Sequence, residues 1–130
     1  RGLVEAEYRL DLGDTAWVLE QTRANLAHCE ELRWGGHVAQ CHIVLGSALL
    51  DRDLDASARH LDEARRWTRR TGEVELRIRA HILGAALHRA HGHEGEARAE
   101  RAEGLRLAED SGAALLAKQM RRKSVSGTRT

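Results

Sequence analysis

Along nearly the whole chain apolar side chains return every three or four positions, and the polar interruptions between runs are short. The most regular run is Leu76, Ala80, Leu83, Leu87 and Ala90, spaced four, three, four and three. That period lays one apolar stripe along a helix and predicts a helix over 73–91. Upstream, Leu54, Ala58, Leu61, Ala64 and Trp67 keep the same rhythm. Asp53 is placed to cap the start of their helix, Arg69 and Arg70 fall in its last turn, where positive charge suits the carbonyl end, and Gly72 closes it. Val38, Cys41, His42, Leu45, Gly46 and Leu49 define a helix over 37–51, in which Gly46 lets a neighbouring helix approach closely. Before it, Leu19, Thr22, Leu26, Cys29 and Leu32 line the inner side of a helix that Asp14 caps, that runs to about Trp34 and that Gly35-Gly36 stops. Val4, Tyr8 and Leu12 mark part of a helix over 2–12, closed by Gly13. At the other end, Gly92 and Gly95 mark a turn, Ala99, Ala102, Leu105 and Ala108 form an inner face reaching Gly112, and Leu116 and Met120 sit on a last helix over 113–122. The pattern predicts about seven helices.

These helices repeat as pairs. Residues 39–72 recur as residues 77–112: an apolar helix carrying Leu45-Gly46 or Leu83-Gly84, a polar turn, an alanine-rich helix, and a closing Gly72 or Gly112. A helix hairpin repeated at this period cannot bury its apolar face alone and must stack on its neighbour, which is the mark of an α-solenoid. The expected fold is all-α, a right-handed superhelix of antiparallel helix hairpins. One helical-repeat domain spans residues 1–123, with approximate repeats 2–36, 37–72, 73–112 and a partial 113–123; residues 124–130 are expected to be a disordered tail. Acid-to-arginine pairs four apart, such as Asp55/Arg59, Glu75/Arg79 and Glu94/Arg98, add about 0.3 kcal/mol each to the helices and say nothing about function.

Composition supports the helical reading and narrows the class. The 130 residues are one domain's worth, 42% hydrophobic and 32% charged, with no proline and no phenylalanine, so little interrupts helix and strand formers are scarce. The formal net charge of +1 is uneven: residues 1–117 carry 16 arginines and all 20 acidic groups, whereas 118–130 carry five basic groups and no acid. A mildly acidic body argues against a direct nucleic-acid surface. No apolar run is long enough to cross a membrane, and two cysteines without CxxC spacing fit a reduced, cytoplasmic setting. The chain begins at Arg1, which suggests a piece of a larger protein. Leu115, Leu116 and Met120 leave the last repeat uncapped, offering an end for more repeats or for self-association.

Candidate chemistry is sparse. Two sets carry metal-ligating groups: His88, His91 and His93 around one turn, and His37 with Cys41 and Cys29 around another. Neither has the tight paired spacing of a structural zinc site, and no cofactor is assigned. HExxH, GxSxG, Glu-x-x-His pairs and a phosphate-cradling GxxxxGK[ST] loop do not occur, and Asp51, Asp53 and Asp55 suit turn and cap duty, so a non-enzymatic protein is expected. Trp17, Trp34 and Trp67 are expected to fill the gaps between helices, with ligand stacking as the alternative. Arg65, Arg66, Arg69 and Arg70 are read as a solvated outer face beside Asp62 and Glu63.

The two copies resemble tetratricopeptide repeats. The matching positions are Leu45-Gly46 with Leu49, Ala58 and Ala64, and Leu83-Gly84 with Leu87, Ala97 and Ala102; the family's early aromatic is replaced by His42 and Ala80, and its closing proline by Gly72 and Gly112. Residues 37–117 look like the repeats in the C-terminal arms of bacterial STAND-type signal-transduction ATPases and related transcriptional regulators. The resemblance implies a cytoplasmic scaffold or sensor arm that binds a protein or peptide partner, with small-molecule or metal sensing as the alternative. It also implies a groove lined by the first helix of each pair: Gln40, Ile43, Ser47, Leu50 and Asp51 on one, and Ile78, His81, Ala85, His88 and Arg89 on the next. The same positions read equally well as the surface of a spacer.

Overall fold

The computed structural model describes residues 14–112 and Arg121. Five helices follow one another: α1 (Thr15–Leu32), α2 (Gly35–Ala48), α3 (Leu54–Thr71), α4 (Val74–Ala90) and α5 (Glu94–Asp110). Among the described residues there is no strand, so the protein is all-helical as its apolar period requires. The helices expected over 2–12 and 113–122 lie, but for Arg121, outside the described residues, as do Leu115, Leu116, Met120 and the tail 124–130.

Asp14 precedes α1 as expected but its side chain makes no cap hydrogen bond; elsewhere the helix ends follow local chemistry, with two departures from the sequence pattern. Asp53 caps α3 as expected, in extended backbone, its carboxylate accepting the Ala56 N–H at 3.0 Å, and Gly72 closes the helix at φ 69°. The first departure is that Gly35-Gly36 do not stop α1. Arg33 does, in the left-handed region at φ 57°, and the two glycines instead begin α2. Their lack of a side chain has a packing reason: a Cβ on Gly35 would stand 3.1 Å from the Thr71 methyl and 3.2 Å from the Trp67 ring, and one on Gly36 would stand 2.7 Å from the Glu73 carboxylate. Second, Gly95 lies within the first turn of α5; the turn before it closes on Gly92, at φ 79°.

Each helix packs on the next, and α2 packs on α4 as well. Val18 and Leu19 of α1 meet Cys41, Val44 and Leu45 of α2, with Trp17 and Leu26 at the margin. Ala39 and Ile43 of α2 meet Ala64 of α3 and Leu76 of α4, with Trp67 against them. Leu61 meets Ala80, Leu83 and Leu87, and Ile78 meets Ala108. Helix α4 therefore buries two faces, the stripe its spacing predicts and a second line through Ile78 and Ile82 toward α5. On α5 the buried line is Ala97, Gly104 and Ala108, whereas Ala99 and Ala102 are exposed. Leu32 and Ala90 are likewise exposed, each in the last turn of its helix, beyond the reach of the next one.

Gly46 fulfils its expected role. A Cβ there would meet a Leu83 methyl at 2.7 Å and the Ser57 carbonyl at 3.3 Å, so α3 and α4 both approach α2 at this residue. Buried Ser57 fixes the crossing by donating its hydroxyl to the Gly46 carbonyl at 2.6 Å, a contact with no signature in the apolar spacing.

Candidate functional site

A recess of about 350 Å³ opens where the α1–α2 turn meets the start of α4. Its walls are Trp34, His37, Gln40, Glu73 and Leu76, and its floor is Gly35-Gly36. Trp34 is 50% exposed, against a chain in which Trp17 and Trp67 are packed into inter-helix seams. The expectation that the tryptophans fill gaps thus holds for two and fails for Trp34. Helix α1 ends at Leu32, so Trp34 stands beyond its stripe, at the residue that precedes α2. The indole is nonetheless held in place. The His28 ring meets it edge-on at 6.2 Å between centroids and the His37 ring lies at 5.6 Å on another side. Glu73 brings a carboxylate to the same recess, beside Gly36 and the amino end of α2, where the helix dipole favours negative charge.

The structure divides the expected groove residues. Gln40 is half-buried and lines the recess. Ile43 and Ile78 are core: Ile43 packs with Ala39, Ala64 and Leu76, and Ile78 is fully buried against Ala108. Their place in a groove is corrected because α2 and α4 each have helices on two sides, so positions between the main stripe residues are covered too; Ala85 is buried for the same reason. Ser47 is half-buried and turns its hydroxyl back onto its own helix, donating to the Ile43 carbonyl at 2.8 Å. Asp51 is exposed and lines a second recess with Leu50, Asp53, Asp55 and His91. His81 binds the Glu100 carboxylate at 3.2 Å, and Arg65 binds the other oxygen of that carboxylate. This bridge passes over Gly84, where a Cβ would run into Glu100. Arg65 is therefore committed to the fold rather than to an outer face, while Arg66 pairs with Glu63 at 3.2 Å and Arg70 lies 5.2 Å over the Trp67 ring. His88 meets Glu96 at 3.0 Å, and Arg89 is exposed.

The cysteine set does not assemble as a ligand group. Cys29 and Cys41 come together and are both buried, whereas His37 is exposed. Burial, and then its neighbour Cys29, push the Cys41 thiol up to about 12. His42 and His60 pair inside the α2–α3 seam, their Nδ1 atoms 3.0 Å apart. Glu73, Glu96, Glu100 and Ser57 are site or seam residues that periodicity does not reveal, because polar residues leave no trace in an apolar stripe. Among the described residues no helix is long and apolar enough to cross a membrane. Comparison with protein families, with curated proteins and with solved structures gave no match.

Proposed function

We propose that this protein is a non-catalytic interaction module, a tetratricopeptide-like array serving as the repeat region of a larger bacterial signalling or transcriptional regulator. In this reading the pairs α2–α3 and α4–α5 are two hairpins stacked in the same sense into a right-handed superhelix. The contact of α2 with α4, beside the sequential contacts, supports it, as does the recess that Asp51 of one hairpin turn shares with His91 of the next.

The observation that carries the functional reading is Trp34, half exposed yet held between His28 and His37, above a glycine floor and beside Glu73. A large apolar ring left in water at a concave, partly acidic place is a binding anchor in waiting. The partner that complements it is a protein or peptide segment presenting arginine or lysine. Its cation would lie on the indole face and meet the Glu73 carboxylate, and its backbone would approach the side-chain-free glycines. The binding surface is accordingly narrower than a full groove and centred on the start of α2.

A displayed peptide library selected on the whole chain tests this. The expected peptides share a basic residue, and Trp34→Ala and Glu73→Gln each lower their affinity by roughly tenfold, about 1.4 kcal/mol, without lowering the melting temperature. Selected peptides that bind wild type and both variants equally well would overturn the assignment.

A further inference from the structure

We infer that the turn between α4 and α5 holds a divalent transition-metal ion of the zinc type, through His88, His93 and Glu96. This site lies at the opposite end of the helices from the Trp34 recess and does not rest on the function proposed for it.

The ligand atoms of the three side chains all lie within 4.8 Å of one another. The Glu96 carboxylate oxygen is 3.0 Å from Nδ1 of His88 and 3.9 Å from Nδ1 of His93. Two ligands each about 2.0–2.1 Å from a tetrahedral zinc ion stand about 3.4 Å apart, a spacing these two distances bracket. Two imidazoles and one carboxylate, with the remaining position left to water, form a ligand set that zinc accepts.

The backbone holds the donors in place before any ion arrives. His88 ends α4 in its last turn, His93 is the residue that opens α5, and Glu96 lies in the first turn of α5. The His93 N–H donates to the His88 carbonyl at 2.8 Å, and the Ala97 N–H donates to the His93 carbonyl at 2.9 Å. The turn is thus closed by main-chain bonds that join one imidazole carrier directly to the other. Gly92, at φ 79°, supplies the left-handed residue this closure needs. Around the donors, the His91 ring stacks on His93 at 5.9 Å, and Glu94 adds a second carboxylate to the same helix start. Burial is slight, with His93 56% and Glu96 65% exposed, so an ion reaches the site directly from solvent.

Zinc(II) titrated into the whole chain, in competition with a chromogenic chelator, tests the site, and cobalt(II) absorption reports its geometry. The expected result is one ion per chain and a rise in melting temperature with excess zinc. His93→Ala and Glu96→Gln each weaken binding by about tenfold or more and abolish the rise, since altering even a supporting residue of a metal site costs that much. Both positions are exposed and the His93 side chain makes no cap hydrogen bond, so the variants fold. Absence of zinc binding by the wild type, or binding that survives both substitutions, would overturn the inference.

Discussion

Thr22 lies on the inner side of α1, 1% exposed, with a hydroxyl that has no hydrogen-bond partner among the described residues. An unpaired buried hydroxyl costs free energy that a methyl of the same shape does not. Thr22→Val should therefore raise stability by about 1 kcal/mol in urea denaturation; a loss of stability would mean that the hydroxyl is satisfied by ordered water. The His42–His60 pair makes the opposite kind of demand. At 3.0 Å one Nδ1 must carry the proton and the other accept it, and charging both rings would set two N–H groups face to face. Burial pulls both imidazoles below their ordinary value of 6.5, and His42, Arg23 and Arg59 pull His60 further. The unfolded chain, with ordinary histidines, takes up protons below about pH 6.5 that the folded chain resists, so the contribution to stability is full above that pH and declines below it. The melting temperature should fall from about pH 7.5 to about pH 5.5, and His60→Gln should flatten that fall. An unchanged slope in the variant would show that the pair does not control it. The individual residues were the least legible scale in the sequence. Nothing in the spacing singles out Trp34 as the exposed tryptophan, or distinguishes Glu73 or Glu96 from any other surface acid.

At the scale of the element, much more was legible. Asp53 and Gly72 bound α3 where their chemistry says they should, and the stripe through Leu76, Leu83 and Leu87 does face the core. What misled was phase and sidedness. The sequence shows one apolar stripe per helix, yet α2 and α4 have neighbours on two sides, which buries Ile43 and Ile78. On α5, alanine is small enough to sit on either face, so Ala99 and Ala102 carried no information about which side turns inward. The Leu-Gly pairs were the most reliable marks, because a missing side chain in a helix interior costs helix propensity and needs a packing reason. Gly46→Ala tests that reason. Propensity alone would favour alanine by about 1 kcal/mol. Its Cβ, however, would meet a methyl of buried Leu83 at 2.7 Å and the main-chain carbonyl of Ser57 at 3.3 Å, so packed neighbours must shift. We expect a net loss of about 1–3 kcal/mol by chemical denaturation; a gain would mean that α3 and α4 do not close on α2 as described. Gly84→Ala differs in kind, since its Cβ would meet the ends of Glu100 and Arg65, which can swing aside at the expense of their bridge.

At the scale of the whole molecule, the helices place exposed chemistry at two opposite ends, while the seams between combine hydrophobic contact with a few polar pairs: His42–His60, Ser57–Gly46 and the Glu100 bridge. One end presents Trp34, the glycine floor and Glu73; the other presents Asp51, His91 and the His88–His93–Glu96 cluster. The short polar interruptions between apolar runs marked where the turns fall, although they could not say which turn carries a recess. The proposal that the α1–α2 end receives a basic segment of a protein partner is tested most directly by NMR. A selected arginine-containing peptide is titrated into the labelled chain while the Trp34 indole N–H and the backbone amides are followed. The expected shifts are confined to Trp34, Gly35, Gly36, His37, Gln40 and Glu73, and vanish in Trp34→Ala. Shifts centred on another face, or a titration that Trp34→Ala leaves unchanged, would contradict it.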